Sequence, residues 1–286
     1  MRHLLRLTPA LLLAGWLCSP AWAAESYQGC TGFINAIPTT ISTPGTWCLR
    51  TNFSTLMTSG AAITVNVSNV VIDGNGFYIN GLEAGAGSTA RGIHALNRVN
   101  VTVRDVRVRG FYIGVQLSGG AGYQVEDNLI DLSRYMGINV TGDANRVQGN
   151  RVLNTGGATN QPYAYAIYAE ADVIDNFVSS VSGATTSEST YPRGIYMSGV
   201  GTIARDNFVR GVEPRGAGSA KSLWAAGTQQ AILENQVTSD KGPASVAGWG
   251  ILGSGTASTI CRGNDVVNHQ FAVTDCDVSS GDNYHY

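Results

Sequence analysis

The chain has 286 residues, 43% of them hydrophobic, with 18 Lys and Arg against 20 Asp and Glu. A formal net charge of −2 leaves no basic footprint, so neither nucleic acid nor a membrane surface is expected as a partner. Length alone admits one large β domain or two ordinary ones.

Residues 1–23, MRHLLRLTPALLLAGWLCSPAWA, place Arg2 and Arg6 before an apolar run and close on Ala21-Trp22-Ala23. This is the pattern of a secretory signal peptide, and it predicts a secreted or periplasmic protein. Bulky Leu17 ahead of Cys18 argues against a lipoprotein anchor. No later segment reaches the roughly 20 consecutive apolar residues of a membrane helix. Residues 24–61 then read as an N-terminal cap region and residues 277–286 as a C-terminal tail.

Between them, residues 62–276 repeat. A small residue followed by an aliphatic one recurs at Ala62-Ile63, Gly92-Ile93, Gly114-Val115, Gly137-Ile138, Ala166-Ile167, Gly194-Ile195, Ser222-Leu223, Gly250-Ile251 and Ala272-Val273. A second column follows in phase: Asn75, Val106 in place of Asn, then Asn128, Asn150, Asn176, Asn207, Asn235 and Asn264. Apolar residues stand three before and two after it, as in Val125 and Ile130. Five apart, these would face opposite ways on a straight strand, so the chain must bend at the Asn. Asn suits a corner because it tolerates left-handed φ and bonds neighbouring backbone, and stacked copies can bond one another. The Asp residues preceding it, Asp105, Asp127, Asp175 and Asp206, read as turn caps, and no metal site is expected. No cofactor is expected either.

A coil this small buries its apolar side only by stacking, which predicts an all-β solenoid of about nine coils. The repeats VEDNLI, VIDNFV, ARDNFV and ILENQV resemble the right-handed parallel β-helix proteins of the pectate-lyase-like superfamily over Ala62 to Cys276. That resemblance implies the fold and leaves activity open, since the fold hosts lyases, hydrolases, epimerases and adhesins. Four cysteines outside the leader allow three pairings. A rod separates its ends far beyond the roughly 7 Å Cα limit for bridging, which leaves Cys30–Cys48 and Cys261–Cys276. Closed ends discourage end-to-end association, so a monomer is expected.

The spacing from the small-aliphatic pair to the Asn column is 10 to 14 residues, while the return spacing varies from 8 to 18. All long insertions therefore fall on one side of the rod, where function is usually placed. If the aliphatic column faces in, the next residues face out: Thr64, His94, Gln116, Asn139, Tyr168, Tyr196, Trp224, Leu252 and Thr274. The small column before it is expected to face out as well, giving a bare strip beside an aromatic ladder.

Flat rings at coil spacing suit a chain of sugars, so Tyr168, Tyr196, Trp224, Asn139 and Arg193 are the candidate substrate-binding residues, with Tyr163, Tyr165 and Tyr191 beside them. The alternative is that these rings only pack beneath the loops. Arg193, Tyr196 and His94 are the candidate catalytic residues. Arg134, Arg215 and Lys221 are further cations, and Glu170, Glu188, Glu213 and Asp240 further acids. The expected partner is a polysaccharide or cell-surface glycan. The leading function is a carbohydrate-interacting β-helix protein of polysaccharide lyase or epimerase type. The alternative is a non-catalytic, adhesin-like glycan binder.

Overall fold

The computed structural model describes residues 27, 29–183, 189–240, 248–254, 258–277 and 283–285. The expected signal peptide lies outside them. Short strands separated by sharp corners wind into a right-handed parallel β-helix with three sheets. Sheet I runs from Thr39–Ile41 to Phe271–Thr274, sheet II from Gly32–Ile34 to Ile260–Arg262, and sheet III from Phe53–Ser54 to Tyr284–His285. Sheets I and II are counted together as 18 strands because Met136–Gln148 and Tyr163–Ile174 pass through both.

The two sequence columns stack in register. Ile63 pairs with Ile93, Ile93 with Val115, Val115 with Ile138, and so on through Ile167, Ile195, Leu223 and Ile251 to Val273. From Ile63 to Ile251 these side chains are wholly buried. Sheet II adds Ile72, Val103, Val125, Val147 and Val173, and sheet III adds Val108, Ile130, Val152, Val178 and Val209. Sheet III has 10 strands, so the stack holds one rung more than the repeat counts. The extra rung precedes Ala62: Thr39 pairs with Ile63, Trp47 with Ile72 and Phe53 with Ile79. At that end Ile79, and not Phe77, takes the inner position of sheet III, because the turn Asp73-Gly74-Asn75-Gly76 shifts the strand. The disulfides are Cys30–Cys48 and Cys261–Cys276, one at each end.

The corner between sheets II and III is held by an asparagine ladder. Each Asn side-chain oxygen accepts from the backbone N–H and the side-chain amide of the previous ladder Asn, as Asn207 does from Asn176 at 3.0 Å each. Each amide also donates to a carbonyl of a neighbouring rung, as Asn207 does to Val173 at 2.8 Å. The ladder runs Asn128, Asn150, Asn176, Asn207, Asn235, Asn264 and on to Asn283, a member the repeat did not reveal. The left-handed residue is the one before the Asn, or before Val106 in its place: Asp105, Asp127, Gly149, Asp175, Asp206, Glu234 and Gly263 all have positive φ. Within this corner column Asn75 of the first turn takes that conformation itself, and it lies outside the ladder.

The small column corrects the sequence reading: it faces inward. Ala62 and Ala166 are fully buried. A Cβ on Gly194 would collide with the Ser222 carbonyl oxygen and lie 2.7 Å from Val209 of sheet III. Gly92, Gly114, Gly137 and Gly250 meet Val108, Ile130, Val152 and Val266 in the same way. Sheet III approaches sheet I so closely here that nothing larger fits, and no bare outer strip exists.

Replacing Asn207 by Ala strands the Asn176 N–H and the Val173 carbonyl in the interior, and should cost about 3 kcal/mol of unfolding free energy. Exposed Gln236→Ala should change stability by less than about 0.5 kcal/mol. Urea unfolding followed by circular dichroism checks both, and equal midpoints for the two variants would refute the ladder's role.

Candidate functional site

Sheet I's outer surface is set by one local rule. The small and aliphatic residues both turn inward, so the residue after the pair and the residue before it project outward from either side of a shallow kink. The residue after the pair forms the ladder the sequence located: Thr64, His94, Gln116, Asn139, Tyr168, Tyr196, Trp224, Leu252 and Thr274 lie in register. The residue before it forms a second ladder that sequence reasoning missed: Arg91, Ile113, Met136, Tyr165, Arg193, Lys221, Trp249 and Phe271. Its signal was present, since it shares the phase of the Gly-Ile column.

The two ladders converge on one aromatic surface. Tyr168 and Tyr196 have ring centroids 4.8 Å apart, Tyr196 and Trp224 another 4.8 Å, and Tyr165 meets Tyr168 and Tyr196 at 5.5 and 5.8 Å. Tyr163 packs on Tyr191 at 5.4 Å, and Tyr112 and Tyr135, unforeseen in the sequence, extend the array to Tyr165. Tyr168, Tyr196 and Trp224 are half-buried.

Two cations sit among these rings. Lys221 Nζ lies 3.4 Å from the centroid of Trp224, and the Arg193 guanidinium lies 5.4 Å from it. Arg193 is only 6% exposed and donates from Nη1 to the carbonyls of Pro192 and Ser219, both at 3.0 Å, while its Nε has no partner. Among the described residues the ion pairs are Arg104–Asp73, Arg109–Asp131 and Arg205–Asp206, so neither Arg193 nor Lys221 is matched by a carboxylate. Burial and nearby Arg193 push the Lys221 amine down to about 8. Burial also lowers Arg193 and lifts Tyr165 to about 12, and Tyr196 is raised by burial and by Tyr168. These shifts describe a partly dehydrated surface on which charge is costly unless a ligand brings the opposite sign.

The other sequence candidates lie elsewhere. His94 belongs to the ladder but sits four rungs from Tyr196, roughly 19 Å at strand spacing. Burial and Arg91 lower its pKa. Asn139 adjoins Tyr168 in register, and its side-chain oxygen has no partner. Arg134 is buried against the Leu82 carbonyl, and Arg215 packs against Thr190. Glu213 and Asp240 line a separate hollow with Ser180, Ser182 and Gly211. Glu188 falls outside the described residues. Glu170 adjoins the ladder, two residues past Tyr168 on the same face.

Fold and surface together define a rod-shaped parallel β-helix carrying an aromatic, cation-bearing face. No family model and no curated protein matches the chain. Among solved structures, 88% of it aligns with 57% of the Dettilon tailspike protein (gp208), at 15% identity and a TM-score of 0.49. A further 78% alignment covers 60% of DFA-IIIase from Arthrobacter chlorophenolicus A6, at 15% identity and a TM-score of 0.42. The chain thus spans about three fifths of either protein, and likeness at this identity concerns the fold alone.

Because the Lys221 pKa in the folded chain lies below that of a free lysine, its charge opposes folding below about pH 8. That penalty fades as pH rises toward the ordinary lysine range. Acylation of Lys221, followed by peptide mass spectrometry across pH, should reach half its maximal rate near pH 8. A midpoint in the ordinary lysine range would mean the amine is not dehydrated.

Proposed function

We propose that this chain is an exported, monomeric carbohydrate-interacting protein that engages an extended acidic glycan along the ladder from Asn139 through Tyr168 and Tyr196 to Trp224. The observation that carries this reading is the continuous run of rings with two cations set in it and no carboxylate beside them. Ring faces take the C–H faces of sugars, and Arg193 and Lys221 supply positive charge for a uronate carboxylate. Disulfides at both ends of the stack suit an oxidising compartment. No helix among the described residues is long and apolar enough to cross a membrane.

Lyase- or epimerase-type chemistry fits the same side chains. Arg193 holds the carboxylate of one uronate and stabilises the carbanion as Lys221, in its neutral form, takes the proton from C5. In elimination, the electron pair forms the C4–C5 double bond, the C4–O bond breaks, and the leaving oxygen takes a proton from the Tyr196 hydroxyl. In epimerisation, the carbanion instead takes a proton from the Tyr196 hydroxyl on its opposite face, and no bond in the chain breaks. Binding without cleavage is the second reading. It is favoured by the seat of Lys221 against Trp224, since a ring face stabilises the charged ammonium.

Incubation with polygalacturonate, alginate and hyaluronan separates these readings. Elimination is expected to create ultraviolet-absorbing unsaturated ends that Lys221→Met abolishes, whereas simple binding gives retention without such ends. The triple variant Tyr168→Ala, Tyr196→Ala and Trp224→Ala should weaken retention at least about tenfold, or 1.4 kcal/mol. Unchanged retention by a folded triple variant would defeat the proposal.

A further inference from the structure

Five tyrosines and a tryptophan touch one another in an unbroken network along sheet I. Tyr165 stands at its centre, with ring centroids 6.0 Å from Tyr135, 6.4 Å from Tyr163, 5.5 Å from Tyr168 and 5.8 Å from Tyr196. Tyr196 passes on to Trp224. A sugar platform needs the ladder of Tyr168, Tyr196 and Trp224, and it gives Tyr135 and Tyr163 no part.

The contacts differ in kind. Tyr165 meets Tyr135, Tyr168 and Tyr196 edge to face, at 83°, 72° and 71°. Tyr168 and Tyr196 instead lie nearly side by side, their planes tilted by 38°, and at 4.8 Å they are the closest tyrosine pair among the described residues. Their distance is the strand spacing itself. Parallel pairing of Ile167 with Ile195 and of Ala169 with Met197 brackets them, so the two phenols stay together as long as the rungs do.

Two phenols held in contact are the reactants of oxidative coupling. We infer that Tyr168 and Tyr196 form a modification site, at which a peroxide-driven one-electron oxidant of the peroxidase class joins their rings and staples two adjacent rungs. Each phenol gives up one electron and one proton. The two phenoxyl radicals form a carbon–carbon bond between positions ortho to their oxygens, and the hydrogens on those carbons then move to the oxygens, restoring both aromatic rings. The two electrons and two protons released reduce one hydrogen peroxide to two waters. The other rings collect oxidising equivalents for this pair. Tyr163, 40% exposed, meets the oxidant first and hands the radical through Tyr165, while a radical formed on Trp224 takes an electron and a proton from Tyr196 beside it. No ligand enters this chemistry, so it stands independently of the reading of the ladder as a glycan site.

The test treats the intact chain, at high dilution, with a haem peroxidase and hydrogen peroxide, isolates the uncoupled-size monomer on a denaturing gel, and maps its tryptic peptides by mass spectrometry. Tyr168 and Tyr196 fall on different peptides, 152–193 and 194–205, so their link appears as a joined pair lighter than the sum by two hydrogens. This pair should be the main coupled product between peptides. Tyr168→Phe and Tyr196→Phe, which keep the stacked ring, should each abolish it, and Tyr163→Phe should lower its yield. Tyr284→Phe, which removes a phenol that is 56% exposed and outside the network, should leave the yield unchanged. Absence of the joined pair overturns the inference, as does coupling that follows exposure, with Tyr78 and Tyr284 leading. A yield that Tyr163→Phe leaves unchanged overturns the collecting role of the other rings.

Discussion

A solenoid of short strands turns on how it satisfies its corners, because each corner interrupts the ladder of backbone hydrogen bonds inside a dry interior. Here the burden falls on one stacked column. Each ladder Asn spends its oxygen on the preceding Asn and its amide on a neighbouring carbonyl, so a buried bend is fully bonded without water. The residue just before it absorbs the left-handed φ, and that position is filled by Asp, Gly or Glu. With the corner fixed at each rung, the strands on either side are held in register, and the columns of Ile and Val follow.

The inward small column is the second constraint. At the Gly-Ile pair two successive residues face the core, so the strand is locally kinked and sheet III presses against it. Two residues flanking that kink then project outward where a regular strand would offer one row. The aromatic surface exists for this reason: Tyr165 and Arg193 from one ladder are brought against Tyr168, Tyr196 and Trp224 from the other. A site of this kind is a property of stacking, since residues on a single rung supply only two or three of its rings.

Charge is distributed across this face in opposite senses. The ladder holds two cations among rings, and a cleft beside it, at the corner between sheets I and II, holds Glu170 and Asp172, each bonded to a backbone N–H of its walls.

Much of this was legible in the amino-acid sequence. Two in-phase columns specified a stacked β coil, its inner Ile and Val, the disulfide pairing and the row from His94 to Trp224, because a repeat whose period equals one turn places equivalent residues one above another. The facing of Gly194 and its equivalents was not legible, since alternation predicts outward and only the press of Val209 from another sheet turns that position inward. The cleft at the corner between sheets I and II was equally hidden: Glu170 and Asp172 look like ordinary solvated acids until the short strand segment that carries them lies between two longer neighbours. Repetition along the chain sets what stacks on what, whereas differences in length between adjacent rungs, which no single rung contains, decide where the surface opens.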